Sequence, residues 1–407
     1  MRSFILLGAV CALGSACSFI VSGCSEDATT ADAADGGTKD SGTDVTPSDA
    51  GSDAPQEASV ASCIENSGAD AFFAVADTTK CVVGVYTVAV PALAALTWGR
   101  HGGPVGFDGK RLVRYAVPAT SKGTLTATST AVTVPNVPGG VFWGSQALDL
   151  PFFPTLKWTA IAYTGSGAAA PGEIVIVDDT GVVAKRYNVN GFFAETAIAT
   201  SGGRLLYTGL SPLATAASAT NAGGLYAADT CGTAASNPRL LPESDGTCGA
   251  PLKVSTWQAG ASGPVTVDAA GNAFAILSTF GGNQEMRGFE HDTIARGATA
   301  TAGTTMFTIP GYTSELAADG KAAYFQPNDS STYAALDVQR VLYTVDANAK
   351  MVSPNGAPAT FLTMTKAGTP VALLTDDKGY LWVGVSNPGA DDAGPISSTF
   401  FVLADKP

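Results

Sequence analysis

Histidine is nearly missing from this chain of 407 residues: only His101 and His291 occur. That shortage argues against histidine-rich metal sites and leaves little room for a nucleophile activated by an imidazole. Charge is scarce as well. Charged residues make up 14% of the sequence, against about a quarter in ordinary soluble domains. The basic share is the smaller one, 22 Lys and Arg against 35 Asp and Glu, so no face for nucleic acid is expected. There is no G-x-S-x-G elbow, H-E-x-x-H pair, P-loop or dinucleotide fingerprint. Gly281-Gly282-Asn283 and Ser201-Gly202-Gly203 read as turns, since neither opens a helix. From residue 64 onward hardly a segment keeps a helical period.

What is present is a series of short runs rich in Val, Thr, Tyr, Phe and Gly, the composition of strands separated by turns. The runs repeat. A small apolar strand enters an Asp/Gly turn and a second apolar strand follows, at Pro104–Val117, Pro264–Leu277, Glu315–Phe325 and Val371–Val385. Ala197–Gly209 is a version without Asp, and Trp158–Gly165 fills the remaining gap. Asp and Gly suit tight hairpins because they accept positive φ and Asp bonds the adjacent backbone. These aspartates are therefore read as turn formers. A second hairpin type follows at Gly172–Val189, from Gly224 through Arg239–Leu241, and at Val341–Val352.

Core strands start near residues 112, 158, 204, 273, 322 and 380, mostly close to the about 40–50-residue step of a four-stranded blade. The expected fold class is therefore all-β, a β-propeller of six blades over 63–407. The last unit lacks an outermost strand, which the apparent outer hairpin Ala71–Val88 would supply. If that segment instead forms its own blade with Leu93–Trp98, the count is seven. A long β-sandwich or β-helix is the non-propeller alternative.

Seven cysteines are present. Cys11, Cys17 and Cys24 precede the domain, which leaves Cys63, Cys81, Cys231 and Cys248 within it. Local pairing, Cys63–Cys81 and Cys231–Cys248, is expected in an oxidising compartment; zinc would call for C-x-x-C pairs or nearby histidines, and neither occurs.

Arg2, the apolar stretch that follows it and the run Val21-Ser22-Gly23-Cys24 resemble the signal peptide and lipobox of bacterial lipoproteins. The resemblance implies removal of residues 1–23 and lipidation of Cys24. An uncleaved signal anchor is the alternative. Ser25, in place of a retaining Asp, implies the outer membrane. Residues 25–62 carry seven Asp and two Glu against Lys39 and almost nothing aliphatic, so a disordered acidic tether is expected between 24 and 62. Its carboxylates lack the spacing of a calcium loop. Asp376 to Gly384, with Trp382, resembles the D-x-x-G-x-x-W-x-G signature of periplasmic sensor propellers. The whole arrangement is similar in style to secreted propeller lipoproteins of myxobacteria-like genomes.

The most unusual local segment is Thr97–Pro104, in which Trp98, Arg100 and His101 precede two glycines. It is a candidate ligand-binding loop near the channel, with Arg100 for an anion and Trp98 for stacking; the plain alternative is a glycine-rich connector whose Trp packs on the propeller. In Arg287–Gly297, read as a strand, Glu290 and Asp292 share one face and His291 takes the other. With no motif for chemistry, no catalytic residue, metal or cofactor is expected. The main expectation is a lipid-anchored scaffold that binds an envelope protein or glycan without turning it over. The rivals are an exported hydrolase or lyase using carboxylates and an arginine in the central funnel, and a structural envelope component.

Overall fold

A computed structural model describes residues 62–407 apart from 89–95, 108–109, 133–145, 152–156, 164–172, 189–197, 202–203, 211–222, 232–238, 241–251, 254–260, 279–283, 296–300, 310, 333 and 388–396. Cys24, the tether and the Cys231–Cys248 pairing lie outside these residues or their described side chains. The described chain is almost wholly antiparallel strand, gathered into six sheets around a central channel.

Each sheet is one blade. The inner strands are Thr97–Gly99, Gln146–Asp149, Ile198–Ser201, Ala261–Val267, Tyr312–Ala318 and Val371–Thr375, for blades I to VI. Strand alternation explains why the ring closes. In blade VI, Leu381, Val383, Phe401 and Leu403 face blade V, while Trp382, Phe400 and Val402 face blade I. Odd and even positions thus serve different junctions, the period-2 rule of a strand buried on both faces. The same sorting gives apolar clusters between I and II, II and III, III and IV, and IV and V. Every blade–blade junction therefore has its own core, and six blades leave no gap for a seventh.

The ring is clasped by its N-terminal segment. Lys80–Val88 pairs antiparallel with Ser397–Asp405 and becomes the fourth strand of blade VI, as expected; Lys122–Thr124 then adds a parallel fifth. The preceding residues do not form the expected hairpin with it. Phe73–Val75 pairs instead with Ala359–Met364 at the edge of blade V. Asp77 sits between the two strands and is ion-paired with Arg340 of blade V. That pairing, made from far along the chain, turns the segment from one blade to the next. Cys63 and Cys81 are disulfide-bonded, tying residues before the clasp to its main strand.

Two other expectations are corrected. Pro104–Val117 resembles the inner hairpins by sequence, but it joins the second and third strands of blade I, because Thr97–Gly99 lies inside it. Residues around His291 do not continue a strand. The strand ends at Phe289, and Glu290 caps a single helical turn, His291–Ile294, by accepting the Asp292 amide at 2.9 Å.

Candidate functional site

All six inner strands run the same way round the ring, so the turns that leave them gather at one mouth of the channel. Three of these turns share one construction. Asp268 Oδ1 accepts the Asn272 amide at 2.9 Å, and its Oδ2 accepts the Tyr343 hydroxyl at 2.7 Å. Asp319 Oδ1 accepts the Lys321 amide at 2.9 Å and its Oδ2 the Tyr324 hydroxyl at 2.7 Å. Asp376 Oδ1 accepts the Tyr380 amide at 2.8 Å and its Oδ2 the Trp382 indole at 3.0 Å. One oxygen closes the turn and the other pins an aromatic. Gly379 makes the last of these turns possible at φ 76°, a conformation that favours glycine.

Burial shows in the titration of these groups. It pushes the Asp376 carboxyl up, despite its indole and amide donors. The Tyr343 and Tyr324 phenols are also pushed up, first by burial and then by the carboxylates they face. Aspartates so engaged are structural, as their turn chemistry predicts.

Blades I and II break this pattern. Asp149 ends the inner strand of blade II but closes no such turn. Its Oδ2 accepts the Arg100 amide at 3.0 Å, and its Oδ1 accepts the Arg114 guanidinium at 2.8 Å and the Thr159 hydroxyl at 2.7 Å. Arg100 Nη2 also donates to Asp179 at 2.6 Å, and Arg114 lies 3.7 Å from the same carboxylate. Lys157 Nζ is 3.9 Å from it. Three cations thus meet two carboxylates. The carboxylates differ in access: the Asp149 side chain is 4% exposed and that of Asp179 36%. Arg114 Nε is buried without a hydrogen-bond partner. Lys157 holds φ 51° while its carbonyl accepts from Arg100. A non-glycine residue in that region is strained, and strain is characteristically kept where function demands it.

Local sequence places these groups. Gly99 and Gly103 form a close pair across the blade I turn, which projects Arg100 toward blade II. A Cβ on Gly103 would stand 1.9 Å from the Tyr115 carbonyl oxygen, so only glycine fits. Asp179 comes from the outer hairpin of blade II, where Asp178 takes the turn-closing role through Thr180 and Val182. The Thr180 hydroxyl and those amides hold the Asp178 carboxyl below its ordinary range.

The singled-out residues Trp98, Arg100 and His101 are separated by this geometry. Trp98 lines the channel and packs on Trp382 at 5.1 Å. Arg100 lies in the charged cluster, and His101 is on the exposed turn. Arg114, Asp149 and Asp179 join Arg100 there without belonging to any sequence motif. Their only sequence signal was negative: Asp149 is an acid at an inner-strand end with no Asp/Gly turn behind it. Among the described residues no group of three or more His, Cys, Asp or Glu forms a metal cage.

No protein-family model matches the chain, and no curated protein matches it. Solved structures do. The PQQ-bound aldose sugar dehydrogenase of Streptomyces coelicolor superposes with a TM-score of 0.50 at 13% identity, over 82% of this chain and 98% of that one. The soluble aldose sugar dehydrogenase of Escherichia coli, in its apo form, gives 0.43 at 12% over 80% and 99%. A glucose dehydrogenase gives 0.46 at 13% over 80% and 100%. At such identity the likeness shows the propeller fold. It also corrects the expectation of a scaffold that turns nothing over. That expectation rested on missing histidine and nucleophile motifs in a ring of blades, and the first of these structures shows the same ring in an enzyme.

Proposed function

We propose that this chain is an exported propeller enzyme that cleaves a bond in a carbohydrate by proton transfer at the mouth between blades I and II. The observation that carries this is the broken repeat at Asp149, where a turn-former's place is given to two arginines and a second, accessible carboxylate. Asp179 is the proton-transferring group. Arg100 and Arg114 stabilise negative charge as it develops, and Asp149 positions both. In hydrolysis, water adds to the sugar carbon, its proton passes to Asp179, and the departing oxygen takes one from solvent. In elimination, Asp179 removes a carbon-bound proton, the C–O bond on the adjacent ring carbon breaks on the other side of the bridging oxygen, a C=C bond forms, and the departing oxygen takes a proton from solvent.

The carbohydrate class follows the sugar dehydrogenases that share the fold. The group named with the Streptomyces enzyme does not fit the channel described here. PQQ is a tricarboxylate: the described channel wall offers it no cation, and the cations at the mouth, Arg100, Arg114 and Lys157, are already set against Asp149 and Asp179. Export and attachment by lipid at Cys24 are part of the same proposal, on the strength of the signal sequence.

The test is turnover of a panel of neutral and acidic oligosaccharides, followed by release of reducing ends and by formation of unsaturated products. Asp179→Asn should lower kcat by about a hundredfold or more with the fold intact. Wild-type protein inactive on the whole panel, or a variant as active as wild type, overturns the proposal.

A further inference from the structure

Two of the charged groups between blades I and II are more open than the others. Lys157 Nζ lies 3.9 Å from Asp179 Oδ2, beyond hydrogen-bond length, and its side chain is 60% exposed. Among the described residues the Lys157 ammonium donates no hydrogen bond. Its backbone, by contrast, is tied down: the Lys157 carbonyl accepts from Arg100, and the Trp158 carbonyl accepts Arg100 Nη1 at 2.9 Å. An ammonium group thus stands beside Asp179 without being engaged by it. Asp179 is the second open group. Its Oδ1 accepts from Arg100 at 2.6 Å, and its side chain is 36% exposed.

The other carboxylates cannot join Asp179 in chemistry. Asp149 accepts the Arg100 amide on Oδ2 and both Arg114 and Thr159 on Oδ1, and is 4% exposed. Asp178 turns Oδ1 into its own turn, where the Thr180 hydroxyl and then the Val182 and Thr180 amides hold it below its ordinary range. A carboxyl held low is a poor proton donor to a leaving group. Hydrolysis of a glycoside ordinarily takes two carboxyl groups, one of them protonated. Here one accessible carboxylate meets one open cation.

Elimination suits that pair. It needs a single base and a carbon-bound proton acidic enough to leave. A ring carbon that bears a carboxylate supplies such a proton once a cation offsets the charge, because negative charge then develops on the carboxylate oxygens. A neutral sugar ring has no such proton.

We infer that the mouth between blades I and II takes a hexuronate unit and cleaves its glycosidic bond by elimination, with Lys157 binding the substrate carboxylate. The inference rests on the proposed proton transfer at Asp179. Asp179 removes the proton from the carbon that bears the carboxylate, the C–O bond on the adjacent ring carbon breaks, and a C=C bond forms between the two carbons. The departing oxygen takes a proton from solvent, and Asp179 returns its own to solvent. One open ammonium suits a ring with one carboxylate.

The test is turnover by the full chain of oligogalacturonate, oligomannuronate and oligoglucuronate, of their carboxyl-reduced neutral forms, and of a sulfated neutral oligosaccharide. Ultraviolet absorbance follows unsaturated ends, beside an assay of reducing ends. At least one uronate should give one unsaturated end for each bond cleaved, and the reduced and sulfated forms none. Lys157→Gln, at an exposed position, should raise KM for that uronate about ten- to hundredfold, the contribution of one hydrogen bond between charged groups, with a smaller fall in kcat. Lys157→Arg should restore most of the affinity. A merely structural Lys157 would move the melting temperature and not KM. Asp179-dependent hydrolysis of neutral substrates, without unsaturated ends, overturns this inference and leaves the proton-transfer reading standing. So does cleavage of the carboxyl-reduced forms as fast as the acids, or a Lys157→Gln protein with the KM of wild type. Inactivity on every substrate overturns both.

Discussion

Tyr343 of blade V donates its hydroxyl to Asp268 of blade IV at 2.7 Å, joining two blades through a bond that is buried at its acceptor. The phenol lies in the apolar junction with Phe274 and Phe325. Tyr343→Phe would keep the ring and leave one oxygen of a buried carboxylate short of a donor. A hydrogen bond to a charged group contributes about 1.5–3 kcal/mol, so a loss of that order is expected. Urea denaturation of the two proteins measures it, and an unchanged midpoint would count against an inter-blade role.

Gly103 is held within one close contact of its neighbouring strand. Gly103→Ala places a Cβ 1.9 Å from the Tyr115 carbonyl oxygen, a backbone atom that cannot rotate away. The strand must shift, with a loss of about 3 kcal/mol. Because the same turn projects Arg100 toward Asp149, the variant should also lose turnover. The check is thermal melting beside the oligosaccharide assay; the proposal for the mouth predicts that both fall.

The clasp should weaken in acid. Burial pushes the Asp77 carboxyl up, but the Thr79 hydroxyl and amide with the Arg340 guanidinium hold it below the ordinary range. Asp405 is held low by Lys321 and Lys80. A carboxyl whose folded value is depressed adds stability above its unfolded value and loses it as pH falls through the folded one. Both contributions therefore fade from about pH 4 downward. Asp376 acts in the other sense: burial raises its folded value, so protonation favours the fold as pH falls. Hydrogen-exchange protection of Lys80–Val88, taken relative to the intrinsic rate at each pH, should fall below about pH 4. In Asp77→Asn the protection should already be low at neutral pH and change less on acidification; an identical profile to wild type would refute the assignment.

Reduction should loosen the same element. The Cys63–Cys81 loop spans 18 residues of separation, worth about 3 kcal/mol in the chain-entropy view. Melting with and without reductant, and with Cys63→Ser, should show matching decreases. Mass mapping of unreduced peptides should find Cys63 joined to Cys81.

Lipid attachment is tested by Cys24→Ala, which should abolish lipid labelling and release the protein from membranes. Unchanged labelling would remove Cys24 from the proposal.

Much of the fold was legible because hairpin chemistry is local. Asp319 and Asp376 announce their turns through the residues beside them, and each does close a turn. The same locality misled at Pro104–Val117. An Asp/Gly turn looks alike wherever it falls in a blade, and Thr97–Gly99, too short to announce itself, took the inner place. The charged cluster was illegible for the opposite reason. Arg114 and Asp149 are 35 positions apart, and Arg100 and Asp179 79. No spacing rule links them; only the approach of blade I to blade II does.

By itself, then, the sequence determined what neighbours on the chain can decide: strands by alternation, turns by Asp and Gly, a Cys63–Cys81 bridge by proximity and a blade count by period. Tertiary structure decided the rest. It sent Phe73–Val75 to one blade and Lys80–Val88 to the next, because Arg340 waits for Asp77 between them. It also decided which carboxylates are spent on turns and which is left facing arginines. Those choices depend on contacts across the ring, and such contacts exist only once six blades have closed on one another.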